Sequence, residues 1–99
     1  MAIVEVTVVP LGTQTPSLSM YVAGTHKLLK SQDKVNYQLT PMGTILEGDL
    51  DECLSLIRKM HEVPFEADTA RVSTQIRIDD RRDKESSMDK KINSVNEKL

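Results

Sequence analysis

Residues Ile3 to Val9 are β-branched at nearly every position, and Glu5 and Thr7 alternate with Val4, Val6 and Val8. That period of two predicts a strand with one polar face. Pro10, Leu11, Gly12 and Thr13 break the pattern, and Thr15 followed by Pro16 reads as a helix N-cap with proline at the first helical position. Leu18, Tyr21, Val22, Thr25, Leu28 and Leu29 then recur at three- and four-residue spacing, a single stripe wide enough to cover a sheet. Gly24 weakens this helix by about 1 kcal/mol relative to Ala, and a close approach of the helix to the sheet would account for it.

Val35, Tyr37 and Leu39 alternate with Asn36, Gln38 and Thr40, which predicts a second strand. Pro41 and Met42 form a two-residue turn into a third strand running from Thr44 to Glu47, and so short a loop fixes the register. Leu39 should lie opposite Thr44 and Tyr37 opposite Leu46, with these four on one face and Ile45 and Glu47 on the other. Asp49, with Glu52 three residues on, is a capping-box-like start for a second helix. Its apolar face is read as Leu50, Cys53, Leu54, Ile57 and Met60, and Pro64 should end or kink it. The fourth strand, Arg71 to Ile78, sets Val72, Thr74, Ile76 and Ile78 against polar neighbours. Last, Met88, Ile92, Val95 and Leu99 form a narrow stripe after a cap at Ser86, a short terminal helix that must dock on its own subunit or on another.

Strand, helix, strand, strand, helix, strand is the order of a ferredoxin-like βαββαβ sandwich, an α+β fold, here with an extra C-terminal helix. Both main helices then pack on one face of a four-stranded antiparallel sheet. The other face carries Glu5, Thr7, Gln38, Glu47, Ser73, Gln75 and Arg77 around a few apolar residues such as Val9 and Ile45, which suits a wet subunit interface or a polar site.

Residues 1–99 are expected to form one domain, and with 38% hydrophobic residues and three aromatics the core is thin and aliphatic. Oligomerisation is a common remedy, so a homo-oligomer is expected. The net charge is −2, and the dense run from Asp79 to Lys91 alternates in sign and cancels, leaving no footprint for nucleic acid. No apolar run approaches the roughly 18 residues that span a bilayer, and the start of the chain lacks a signal-peptide pattern, so the expectation is a soluble, cytoplasmic protein without membrane contact. The single cysteine, Cys53, offers no metal cluster and reads as a small core residue.

Candidate chemistry is sparse, and no metal site, cofactor or catalytic residue is assigned. His26 and His61 each sit on a predicted helix at the surface edge of an apolar stripe, and a lone His is a weak site signal. Glu5 and Glu47 could meet on the open sheet face as an acid/base pair, but an ion pair with Arg77 is the favoured reading. Residues Pro10 to Thr13 lie at the same end of the sheet as the Pro41 turn, beside the start of the first helix with Ser17 and Ser19. Hydroxyls and helix N–H groups there could hold an anion or the edge of a polar heterocycle.

Three separated segments carry a resemblance: Val-Val-Pro-Leu-Gly-Thr from Val8, Thr-Pro-Met-Gly-Thr-Ile-Leu-Glu-Gly-Asp from Thr40, and Ile-Arg-Ile-Asp-Asp-Arg-Arg-Asp-Lys from Ile76. Together they resemble the small thiamine-binding protein family of ferredoxin-like proteins, over essentially the whole chain. The resemblance implies a cytosolic homotetramer built from dimers, acting in vitamin B1 metabolism by binding thiamine or its hydroxymethylpyrimidine part without catalysis. Pro64 and Asp68 depart from the helix former and the glycine expected there. An aminopyrimidine needs hydroxyl or amide partners along its edge and a flat or polarisable wall, which Ser17, Ser19, Tyr37, Met42 and Thr44 would furnish, and Glu47 would complement the thiazolium charge. The alternative is a structural or regulatory oligomerisation module with no metabolite bound.

Overall fold

The computed structural model describes residues 1–12, 19–83 and 88–98. The chain order is β1 (Ala2–Leu11), α1 (Ser19–Lys30), β2 (Asn36–Thr40), β3 (Gly43–Gly48), α2 (Leu50–Glu66), β4 (Arg71–Asp80) and α3 (Met88–Lys98). It is a small α+β domain whose four strands form one sheet in the order β2-β3-β1-β4, every neighbouring pair antiparallel. The hairpin register matches the two-residue turn: Thr40 pairs with Gly43, Leu39 with Thr44 and Tyr37 with Leu46. The segments expected to carry the N-cap at Thr15 and the cap at Ser86 lie outside the described residues.

One face of the sheet is the core face. Ala2, Val4 and Val6 of β1 and Leu46 of β3 are buried with Leu29 of α1 and with Cys53, Leu56, Ile57 and Met60 of α2. Asp49 caps α2 as expected, its carboxylate accepting from the Glu52 N–H at 3.3 Å. Leu56, not Leu54, completes the buried stripe of α2: both fit three-four spacing with Cys53, Ile57 and Met60, and the seating of the helix on the sheet turns Leu56 inward with Pro64. Cys53 is fully buried, and burial, with the Asp49 and Glu52 charges second, pushes its thiol pKa up, which is the behaviour of an inert core residue. Gln32 stitches the α1–β2 connection by donating to the Leu29 and Val35 carbonyls and accepting from the Val35 N–H at 2.8 Å.

Three expectations change. Gly24 faces the other helix rather than the sheet: a Cβ there would meet Val63 Cγ1 at 2.9 Å, so Gly24 permits the close packing of α1 on α2. Pro64 does not end α2, which runs on to Glu66. Although proline removes one helical N–H, this one is buried in the last turn, and its carbonyl still accepts from Ala67 and Thr69. Third, Ile76 and Ile78 project from the core face of β4 yet are 46% and 44% exposed, because β4 is an edge strand that the helices cover incompletely.

The chain leaves α2 through Asp68 at φ +67°, a left-handed conformation that glycine adopts without steric penalty. Replacing Asp68 with Gly is expected to raise stability by about 0.5 kcal/mol, the relief of strain being partly offset by the freer unfolded chain. A denaturant midpoint that fails to rise would contradict this account of the turn.

Candidate ligand-binding site

At the hairpin end of the sheet, α1 stands away from the strands and leaves a cavity of about 480 Å³. Its walls come from three places in the sequence. β1 supplies Val6, Val8 and Pro10, the β2–β3 turn supplies Leu39 through Thr44, and α1 supplies Tyr21, Val22, Thr25 and His26, while Met60 and Pro64 of α2 line the floor. The size lies in the range that encloses a small organic ligand. Among the described residues no carboxylate and no Lys or Arg lines it, so the cavity favours a neutral, partly polar guest.

Backbone geometry fixes the hairpin wall. Thr40 Oγ1 donates to the Gly43 carbonyl at 3.0 Å and accepts from the Met42 N–H at 3.2 Å, while Thr7 Oγ1 donates to the Met42 carbonyl at 3.2 Å. Gly43 sits at φ +154°, and a Cβ on it would lie 2.8 Å from both the Val6 carbonyl oxygen and Thr7 Oγ1. The turn therefore seats directly against β1, which holds Thr44 in the wall. Thr44 is 8% exposed and points to the helix side, the orientation that the register requires. On the opposite wall, Thr69 Oγ1 donates to Tyr21 Oη at 3.1 Å and positions that ring.

The expected site residues divide. Thr44 and Met42 line the cavity, Met42 at its mouth and 80% exposed. Tyr37 shares the sheet face of Thr44 but packs against the core from β2 and is not in the cavity wall. Ser17 lies outside the described residues, and Ser19 is the first residue of α1. Glu47 is on the far face of the sheet, where its carboxylate accepts from Asn36 Nδ2 at 3.1 Å and from the Met88 backbone N–H at 2.8 Å. It thus satisfies a free N–H at the start of α3 and complements the positive end of the helix, a tertiary cap. Lys91 pairs with Asp79 across the same face. Glu5 pairs with Arg77 at 3.8 Å, as the ion-pair reading expected.

Sequence reasoning missed Tyr21 and His26 as wall residues. His26 was expected at the edge of an apolar stripe, but it is half-buried and its Nδ1 is sealed from solvent with no hydrogen-bond partner. No sequence signal marks it, since a histidine one turn beyond Val22 reads as the edge of a helical stripe, and only the fold brings both to the same cavity. His61, by contrast, is engaged: Nδ1 lies 2.7 Å from Thr74 Oγ1, and the ring meets Phe65 edge-on with centroids 5.4 Å apart. A larger groove of about 600 Å³ runs between α1 and α2 over Gly24, Lys27, Arg58 and Lys59. It is a weaker candidate because its rim is charged, Arg58 already pairs with Glu62 at 2.6 Å, and among the described residues no unpaired buried group faces it.

These features define a small α+β domain with an uncharged cavity of ligand size between helix and sheet. A family model described as thiamine-binding protein matches residues 4–96, and the chain belongs to that family. It is 50% identical to the UPF0045 protein YqgV of Bacillus subtilis, covering all of this chain and 98% of that one, and 45% identical to a UPF0045 protein of Methanothermobacter thermautotrophicus over 96% of each. Among solved structures, the Methanocaldococcus jannaschii protein MJ1052 superposes with a TM-score of 0.83 at 35% identity, over 97% of this chain and 96% of that one. A Thermotoga maritima protein, named as a candidate thiamine biosynthesis or salvage protein, superposes with a TM-score of 0.75 over 95% of this chain and 97% of that one. At 19% identity, that likeness bears on the fold alone. Among the described residues, no helix is long and apolar enough to cross a membrane.

Proposed function

We propose that this protein binds thiamine through its hydroxymethylpyrimidine part, or that part alone, in the cavity beside Thr44, without catalysing a reaction. The observation that carries the reading is the cavity itself: an uncharged space of about 480 Å³ with a buried hydroxyl residue in its wall, in a member of a thiamine-binding family. We read the strand order β2-β3-β1-β4, with α1 and α2 as the two crossovers, as the ferredoxin-like arrangement. The absence of a carboxylate among the described lining residues favours the neutral pyrimidine inside, with the thiazolium cation toward the mouth. A binding role fits better than an enzymatic one because His26 Nδ1 reaches no lining hydroxyl, so no nucleophile and base are paired there through that atom. Calorimetric titration with thiamine and with hydroxymethylpyrimidine tests the reading. No heat from either, at protein concentrations well above micromolar, overturns it.

We also propose that the working unit is a cytoplasmic homo-oligomer, a tetramer in the family's manner. Ile92 and Val95 of α3 are exposed, as are Ile76 and Ile78 on the edge strand, and a chain with so thin a core gains by covering them. Those same residues support the second reading, an assembly module with no metabolite. Thr44→Val separates the two, since it keeps shape and removes the hydroxyl. Under the ligand reading, affinity falls about tenfold while the oligomer stays intact on a sizing column. Dissociation with unchanged ligand affinity would favour the module.

A further inference from the structure

We infer that His26 selects the ligand, its Nδ1 accepting a hydrogen bond from an exocyclic amine on the bound heterocycle. This rests on the reading that the cavity holds the pyrimidine. Among the described residues, His26 Nδ1 is the one buried side-chain nitrogen or oxygen without a hydrogen-bond partner. Folded proteins pair nearly all such groups, and this one does so elsewhere: Thr69 bonds to Tyr21, and His61 Nδ1 meets Thr74 at 2.7 Å. An unpaired nitrogen on a residue that lines a cavity is therefore a position awaiting its partner.

The chemistry of that partner follows from the surroundings. Neutral imidazole has one donor and one acceptor nitrogen, and the tautomer that leaves Nδ1 free to accept calls for an N–H on the ligand. Among the described residues no charged side chain lines the cavity, and Tyr21 is the other titratable group in its wall, so no carboxylate there competes for that N–H. The χ2 torsion of His is broad, which lets the ring turn its nitrogen into the cavity when a donor arrives. His26 lies on α1, one turn from Val22, so it meets the ligand from the helix side of the cavity. A guest in the cavity thus meets Thr44 from the sheet and His26 from the helix. A heterocycle without the amine leaves Nδ1 buried and unpaired, and a site built for a hydrogen bond rejects an analogue that lacks it.

The test crosses a change in the protein with a change in the ligand. Affinities of wild type, His26→Leu and His26→Asn are measured for hydroxymethylpyrimidine and for its analogue with hydrogen in place of the exocyclic amine. Wild type is expected to prefer the amine by about tenfold or more, the preference should collapse toward unity in His26→Leu, and His26→Asn should keep part of it. Equal weakening of both probes in His26→Leu, or no weakening, overturns the inference while leaving the binding reading intact. Failure of wild type to bind thiamine and both probes overturns the binding reading and this inference with it. Should His26→Leu not fold, imidazole-nitrogen NMR of the wild type decides. The Nδ1 resonance of His26 shifts on saturation with the amine-bearing probe, and a resonance that stays put overturns the proposal.

Discussion

Gly43→Ala is expected to destabilise the protein by about 2–5 kcal/mol and to abolish ligand binding by displacing the hairpin wall. Two costs combine at this position. The backbone sits at φ +154°, where a Cβ is strained, and that Cβ would lie 2.8 Å from the Val6 carbonyl oxygen on the neighbouring strand. A flexible side chain could move aside, but a paired backbone carbonyl cannot move without disturbing the pairing of Val6 with Thr44 and Ile76. Gly12 provides the internal control. It has φ +69°, with nothing within 4 Å of its missing Cβ, so Gly12→Ala carries the conformational cost alone, about 1–2 kcal/mol. Urea unfolding of the two variants separates the terms, and equal losses would mean that the contact with Val6 relaxes freely. For a domain of this size, whose total stability is about 5–15 kcal/mol, the larger loss is a substantial fraction of the whole.

Leu46→Ala should cost about 3–5 kcal/mol, the range for emptying a fully buried leucine site that cannot collapse. Leu46 is completely buried in the middle of β3, flanked by Val4 and Tyr37 on the neighbouring strands and covered by the helices. Leu39 is on the same face of the same hairpin, and its alternation in the sequence is identical. It lies on the edge strand and is half exposed, so Leu39→Ala should cost less than about 1 kcal/mol. Thermal or denaturant melts of both variants check the contrast, and similar losses would show that the edge is covered in solution, as oligomerisation would do.

This contrast marks what the sequence could reveal about the core. Alternation told which residues of each strand share a face, and it did so correctly for β1, β2 and β3. It could not tell how far along that face the helices reach, because coverage depends on helix position and tilt. Ile76 and Ile78 alternate as regularly as Val4 and Val6, yet they stay exposed. Leu54 and Leu56 likewise could not be ranked by eye until α2 was seated. The site follows the same division: Thr44 was legible because a two-residue turn fixes its partner, and Met42 because it is in that turn. His26 was not legible, because a histidine at the edge of a helical stripe looks alike whether it faces water or a cavity. Glu47 was assigned to the far sheet face by register, but its role there was invisible, since the N–H that it accepts belongs to a residue 41 positions away.

The order of elements, the faces of the strands, the hairpin register and the Asp49 cap were all legible in the pattern of residues. Each of these rests on neighbours within a few residues, where periodicity and backbone sterics act directly. That Gly24 serves the contact with Val63, that Glu47 caps α3, and that Tyr21 and His26 join Thr44 around one cavity emerged from the packing of the folded chain. Those outcomes depend on where a helix comes to rest over a sheet, and packing between distant segments sets that.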